Sequence, residues 1–487
     1  MEMPPDDVCF RAIATRDPRF DGRLFIGVTS TRIYCRPICP ARTPKRENVT
    51  FWPSAAAAQT AGFRPCLRCR PEISPDAAAW RGTSNTVSRA LSLIAEGVLD
   101  GGDIAALCDR LGVGERQLRR LFDKHLGAPP IQVAQTRRIL FAKQLIQDTT
   151  LPMTAIASAA GFGSVRRFND TFQKLYRRTP RALRHKRSAS SPMSAVTMKL
   201  GYRPPYDWDA IAAFFMGRSI AGVEVAEPDR YARTIALNGA VGSVEVRPGK
   251  NHLVATIRFP QVGALLEIVA RLRRMFDLDA DVLTIESHLS TDAALAPLIA
   301  QRPGLRTPGS WCSFELAVRA VLGQQVTVVA ARKLAGTLVD LAGTTVPEEV
   351  SGDPRLIRAF PSPQQMAAAD LSRMPMPRTR IASLKALAEA VAADPKLIQV
   401  TGSFDEALAK LTALPGFGPW TAQYWALRAL RDSDAFPAAD VGLLRNPAVA
   451  QDGRRPTPKA LLARAESWRP WRAYAAQHLW TSETGHV

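Results

Sequence analysis

Cys35, Cys39, Cys66 and Cys69 constrain this chain more than any other feature of its sequence. They stand as C-x3-C and C-x2-C, separated by 26 residues, inside the runs YCRPICPAR and FRPCLRCRP. Two close pairs, each bracketing a short turn, can bring four thiolates tetrahedrally around one zinc ion. The flanking residues must then fold back into a compact knuckle. Arg32, Arg36, Arg42, Arg64, Arg68 and Arg70 crowd these ligands. A staple for a small fold has no need of that charge, whereas a surface that meets a phosphate backbone does. The residues alone fit either a structural zinc staple or a working site on DNA. Paired disulfides are disfavoured, because the acidic, proline-bearing start MEMPPDDVCF does not read as a secretory segment.

A chain of 487 residues, 46% of them hydrophobic, has material for about three ordered domains. Lys and Arg outnumber Asp and Glu by 64 to 44, and the net charge of +20 favours a polyanionic partner. No apolar run approaches the length of a spanning helix, so a membrane is not expected. The cysteine usage points to a reducing cytoplasm. Cys108 and Cys312 fall in helical apolar patterns and are expected to be buried, and Cys9 has no evident role.

The segment from Thr83 to about Lys186 is helical by period. Within it, DIAALCDRLGVGERQLRRLFDKHLG (103–127) places apolar residues on two short helices with Gly112 and Gly114 between them. The second of these helices presents Arg116, Gln117, Arg119 and Arg120. The layout recurs at TAIASAAGFGSVRRFNDTFQKLYRRTP (154–180), with Ser164, Arg166, Arg167 and Asn169 outward. Each unit alone is also what an ordinary helical hairpin with a solvated basic face looks like. Duplicated, they fit two recognition helices entering successive major grooves. SASSPMSAVTM, within 188–198, reads as a linker. TIALNGAVGSVEVRPGKNHLVATIRFP (234–260) then alternates apolar and polar residues around Asn-Gly and Pro-Gly turns, a β-hairpin pattern. From about Asp292 the chain is helical again.

The second helical unit resembles AraC-type regulators through its AxxxGFxSxxxFxxxFxxxxxxTPxxxR pattern. The cysteine segment, with YCRPICPAR, RENVTFW and GFRPCLRCRP, resembles the N-terminal domain of Ada-type alkylation-response proteins. The resemblance implies one Zn2+ on the four cysteines, with Cys35 as acceptor of a methyl group from DNA methyl phosphotriesters. It also implies phosphate-facing roles for Thr31, Arg42 and Arg64. An activator of this kind would have promoter DNA and RNA polymerase as partners and would sit on the nucleoid. The active-site cysteine motif of the guanine-oxygen methyltransferase half is absent.

LPGFGPWTA (414–422) reads as helix, glycine turn, helix. Gly416 and Gly418 allow close backbone approach, and their N–H groups suit a phosphate oxygen. By itself such a turn is often only a connection. FPAAD ends in Asp440, 22 residues beyond Gly418, where a helix N-cap is one reading and a catalytic carboxylate another. With YRPPYDW, RPGLRTPG, AVRAVLGQQVTVVAARKL and WRPWRAYAAQHLW, the region from about 199 to the end resembles the AlkA-type 3-methyladenine DNA glycosylases. The resemblance implies excision of alkylated purines, with Asp440 catalytic. Trp480 would face the flipped base and Gln325 would stand at the wedge position; Tyr424, Trp425, Trp468 and Trp471 are further candidates for the base, with core packing the alternative for most of them. Trp420 stands where strand-cutting relatives carry an imine-forming lysine, which implies a hydrolytic, monofunctional enzyme. No four-cysteine set follows the hairpin, so no iron–sulfur cluster is expected.

The expected fold is multidomain α+β. It comprises a small zinc-bound α/β domain (1–78), an all-α double helix-turn-helix domain (83–187) and the linker (188–198). A small antiparallel β/α domain (199–290) and an all-α helix-hairpin-helix domain (291–487) follow. Leu430 replaces the tryptophan of the family's ALRGW-type segment, and Gln325 replaces an apolar wedge. These two departures leave a second reading open: a transcription regulator whose C-terminal half clamps DNA without chemistry.

Overall fold

The computed structural model describes residues 3–74, 85–100, 103–184, 195–399, 404–450 and 453–484. The chain divides into two compact units. One is Met1–Pro204 with Gly249–Arg273 and Leu278–Asp281; the other is Pro205–Pro248 with Arg274–Asp277 and Val282–Val487.

In the first unit the cysteine segment builds a four-stranded sheet in the order Val49–Trp52, Phe25–Val28, Ile33–Cys35, Arg64–Pro65. Alternation along Phe25–Val28 sends Ile26 to a core with Cys9, Ile13 and Phe51, and Phe25 to one with Tyr34, Ala58 and Phe63. Cys9 is therefore a core residue, its thiol donating to the Pro4 carbonyl at 3.3 Å. The last strand pairs in parallel, with Tyr34 opposite Pro65, and the Cys66 N–H donates to the Tyr34 carbonyl at 3.0 Å. That register brings Cys35 and Cys66 side by side.

Among the described residues, six α-helices follow: Asn85–Ala95, Ile104–Leu111, Glu115–Leu126, Pro130–Asp148, Met153–Ala159 and Val165–Tyr176. Gly112 and Gly161, at φ +68° and +72°, end the first helix of each expected pair, as the glycine placement required. Leu107, Leu111, Leu118 and Phe122 pack one pair; Ile156, Phe168 and Phe172 are buried in the other. The helix Pro130–Asp148 starts on proline, which supplies helical φ where no N–H partner is needed. Its Lys143 is fully buried, donating to the Cys66 carbonyl at 3.1 Å and to Glu72 at 2.6 Å. Arg70 joins this network through Glu72 and Asp148, each at 2.9 Å. The cysteine knuckle is thus bonded to the helix that connects the two helix-turn-helix pairs.

Residues 188–194 of the expected linker, and the domain limits at 78 and 83, lie outside the described residues. Residues 196–198 are not linker: they open the strand Val196–Gly201, paired antiparallel with His252–Arg258. Gln144 ties that strand to the long helix, donating to the Lys199 carbonyl at 2.7 Å.

In the second unit the strands Arg230–Leu237 and Ala240–Gly249 form the expected hairpin. Leu237 stands opposite Ala240 and the Asn238-Gly239 turn has positive φ at both residues. Helix Ser313–Leu322 runs through the core, its Phe314, Ala317, Val318 and Val321 packing with Leu338, Leu384, Leu387 and Trp425. Cys312 caps this helix, accepting from the Glu315 N–H at 3.4 Å, and is only half-buried. Arg233 lies buried against Glu315 at 2.6 Å, which keeps an otherwise costly internal charge paired.

Lys143→Met is expected to destabilise the first unit by about 3 kcal/mol, because it strands a buried Glu72 carboxylate whose remaining partner is Arg70. Urea denaturation of the single variant and of Lys143→Met/Glu72→Leu checks this. The double variant should recover part of the loss, and a single variant as stable as wild type refutes the pairing energy.

Candidate functional site

The four sulfurs of Cys35, Cys39, Cys66 and Cys69 lie within 4.8 Å of one another. Tetrahedral zinc with Zn–S bonds of about 2.3 Å sets sulfurs about 3.8 Å apart, so the donor set and spacing fit one such ion. The Arg36 and Arg68 N–H groups point at Cys69 and Cys66, both at 3.4 Å, as expected for amides that offset thiolate charge. Hydrogen bonding with Cys39, Cys66 and Cys69 pushes the Cys35 thiol far above the ordinary thiol range, while Cys66, hydrogen-bonded to Cys35, is pulled far below it. Sulfurs this close compete for protons, and a divalent cation removes the competition by replacing them. Cys66 and Cys69 are buried; Cys35 and Cys39 remain partly open to solvent. Thr31 and Arg42 are exposed and Arg64 is half-buried.

Two of the crowding arginines serve the interior instead. Arg36 is buried, with its guanidinium on Asp21 (Nε to Oδ1 at 2.8 Å), and Arg70 is engaged by Glu72 and Asp148. They offset internal carboxylates and are unavailable to phosphate. On the helical pairs, Arg116, Gln117, Arg120, Arg166 and Arg167 are all exposed on the second helix of their pair. Ser164 is exposed as well, but its hydroxyl oxygen caps the helix by accepting from the Arg167 N–H at 3.1 Å.

In the second unit, the loop before helix Pro419–Trp425 turns at Gly416, where φ is +85°. A Cβ there would lie 2.5 Å from the Ser383 hydroxyl, so glycine is required twice over. Gly418 caps the helix with open space around its Cα. Gln324 donates to the Gly416 carbonyl at 2.7 Å, while its neighbour Gln325 is exposed in the left-handed region at φ +56°. A non-glycine residue held there is a strained feature of the sort concentrated at functional sites.

Asp440 stands half-buried at the start of helix Val441–Arg445. Its Oδ1 accepts from the Leu443 N–H at 3.1 Å and from the Trp480 indole at 2.8 Å. Its Oδ2 accepts from the Trp420 indole at 2.8 Å. Three donors fill both acceptor positions of Oδ1 and one of Oδ2, which leaves one lone pair of Oδ2 directed by the clamp. The cap and the site carboxylate are therefore one residue. Trp420 stacks on Tyr424 at 5.4 Å and 8°, and Tyr424 meets Trp480 edge-on at 6.3 Å. These rings and the carboxylate form one cluster.

Trp425 is not part of it: fully buried, it donates its indole N–H to the Ser313 carbonyl at 3.0 Å and belongs to the core. Adjacent helical residues point about 100° apart, so Tyr424 and Trp425 cannot both line one cleft. Trp420, four residues before Tyr424 on the same face, joins the cluster as an aromatic wall in addition to standing at the lysine position. That spacing was the available signal. Leu430 packs against the helical core.

Three family models match: the metal binding domain of Ada over residues 8–72, a helix-turn-helix domain over 107–186, and the AlkA N-terminal domain over 197–312. A probable bifunctional transcriptional activator/DNA repair enzyme AlkA of Mycobacterium tuberculosis is 39% identical over 479 residues, covering 97% of this chain and 96% of that protein. DNA-3-methyladenine glycosylase 2 of Escherichia coli is 35% identical over 291 residues, 58% of this chain and 96% of that protein. Among solved structures, a 3-methyladenine DNA glycosylase from Archaeoglobus fulgidus shares the fold, with a TM-score of 0.52 at 21% identity over 59% of this chain and 99% of its own. Similar over nearly its whole length to a protein of that composite architecture, the chain belongs to the family of bifunctional AlkA-type transcriptional activator/DNA repair enzymes.

Proposed function

We propose that this chain senses and repairs DNA alkylation. Cys35 takes methyl groups from methyl phosphotriesters to switch on promoter binding, and the C-terminal half releases alkylated purines by hydrolysis. The observation that carries this reading is the presence of two chemistries in one chain: four converging sulfurs and a carboxylate clamped by two indoles. Domains over 1–78, 83–187, 199–290 and 291–487 would divide the work.

Zinc, when bound by the four cysteines, keeps their sulfurs deprotonated at neutral pH. Cys35 is favoured as acceptor over Cys66 and Cys69 because its side chain is partly open. Its sulfur attacks the methyl carbon, the carbon–oxygen bond breaks, and the electron pair stays on the phosphate as a diester anion. With zinc held by the four cysteines, this transfer would leave the cluster singly rather than doubly negative, and repulsion from the DNA backbone would fall. Thr31, Arg42 and Arg64 would hold phosphate, and Arg116, Gln117, Arg120, Ser164, Arg166 and Arg167 would read promoter DNA, with RNA polymerase as the activator's partner. No helix among the described residues is long and apolar enough to cross a membrane, and we place the protein in the cytoplasm on the nucleoid.

In the repair half, the Gly416 and Gly418 turn would hold the backbone and Gln325 would fill the gap left by the flipped nucleotide. Trp480, Tyr424 and Trp420 offer ring faces to the base. Asp440 stabilises positive charge developing on the sugar and orients the attacking water through the free lone pair of Oδ2. The clamping indoles fix that lone pair in place before reaction begins.

Asp440→Asn should lower base release from alkylated duplex by about a hundredfold or more, measured under single turnover. Trp420→Phe, which removes one donor from the carboxylate, should lower it by about tenfold. Wild-type-like release by Asp440→Asn would remove that residue from the mechanism, and no release by the wild type would favour the non-catalytic clamp. Methylation of Cys35 should raise promoter affinity by about tenfold at low salt, by fluorescence anisotropy, with the gain shrinking as salt rises. A gain independent of salt would contradict the electrostatic switch.

A further inference from the structure

Within the first unit, the cysteine knuckle meets the strand Val196–Gly201, with which the AlkA-type region opens. Gly201 shows how closely. A Cβ on it would stand 2.0 Å from the Ile73 carbonyl oxygen, so only glycine lets the strand pass the turn Pro71–Ile73. Two residues on, Arg203 is 2% exposed. Its Nε donates to the Asp21 backbone carbonyl at 2.8 Å and its Nη1 to the Asp279 carbonyl at 3.0 Å. Arg23 pairs with the buried carboxylate of Asp281. From the helical side, Gln144 holds the Lys199 carbonyl, and helix Met153–Ala159 packs on the turn Val262–Ala264.

These contacts lead back to the cysteines. The Asp21 carboxylate accepts from Arg36 Nε at 2.8 Å and from the Ser74 hydroxyl at 3.3 Å. Arg36, directly after Cys35, donates from Nη1 to the Cys69 carbonyl at 3.2 Å. Asp21 therefore takes the knuckle on its carboxylate and Arg203 on its backbone oxygen. Asp21, Arg36, Arg203 and Asp281 are all buried. Interior charges are costly unless partnered, and an incidental contact would leave such groups in water.

We propose that residues 196–204 together with 278–281 form a docking platform whose occupant is the chain's own cysteine knuckle. The consequence is thermodynamic, because a knuckle of four thiols depends on its metal for its fold. Loss of zinc would loosen the turns at Cys35–Cys39 and Cys66–Cys69 and release Arg36 from Asp21. Val196–Gly201 and its pairing partner His252–Arg258 then lose their support on that side. Zinc on the knuckle thereby holds the first strand of the AlkA-type region in place. This linkage requires neither methyl transfer nor base release.

The test is amide hydrogen–deuterium exchange of the full-length protein, zinc-loaded and after chelation, with the zinc content measured in each sample. Chelation should speed exchange in Val196–Gly201 and His252–Arg258 by about tenfold or more, and in helix Ser313–Leu322 of the second unit by less than about twofold. Arg203→Met should exchange fast in both strands even with zinc bound, and should respond to chelation by about threefold or less. Strands as protected without zinc as with it, or a wild-type response from Arg203→Met, would overturn the docking. So would an equal rise in helix Ser313–Leu322, which marks general unfolding rather than a local linkage. Should Arg203→Met fail to fold, Gly201→Ala, which drives a methyl group toward the Ile73 carbonyl, must show the same narrowed response. A wild-type response from it would overturn the proposal.

Discussion

Four thiols gathered within 4.8 Å form an arrangement that the chain cannot hold comfortably by itself. As thiolates they repel one another, and as thiols they lack acceptors to share; a divalent ion resolves both difficulties. Much of the first unit is organised around this demand. The parallel register of Tyr34 with Pro65 delivers one cysteine of each pair, and backbone amides from Arg36 and Arg68 face the sulfurs. The buried Lys143 then bonds the Cys66 carbonyl and Glu72, joining the knuckle to the helix that links the recognition units. One hydrogen bond from the Cys66 backbone thus separates the knuckle from the helix between the two helix-turn-helix pairs.

The repair half answers a different electrostatic problem. On the proposed mechanism its carboxylate would have to stay directed at a developing positive charge without being neutralised by a nearby cation. Two indole N–H groups and a helix-start amide do this for Asp440, since neutral donors orient the anion and leave its charge in place. The buried Arg428 beside this cluster is hydrogen-bonded to the Pro308 carbonyl and the Gln477 side-chain oxygen and lies against aromatic faces.

Local features were legible in the sequence because their cause is local. Cysteine spacing defined the metal knuckle, Gly112 and Gly161 marked the turns of the paired helices, and Asn238-Gly239 marked the hairpin. What escaped depends on partners far along the chain or on the exact facing of a helix. In the sequence Arg36 and Arg70 only add to the positive charge around the cysteines; Asp21, Glu72 and Asp148, distant along the chain or across the fold, are what claim them. Trp425, expected beside the base, lies in the core while Trp420 stacks on Tyr424, because composition does not reveal which side of helix Pro419–Trp425 meets the core. The strand Val196–Gly201 was hidden by its small, polar approach, which matches a linker until His252–Arg258 supplies its pairing edge.

The central claim is that an open, metal-held sulfur in this knuckle captures methyl groups from the DNA backbone. Peptide mass mapping of zinc-loaded, full-length protein after incubation with a duplex carrying one methyl phosphotriester tests it most directly. The account predicts a single added methyl group on Cys35 and none on Cys39, Cys66 or Cys69. A methyl group on Cys39 instead, or unmodified cysteines despite full zinc occupancy, would contradict it.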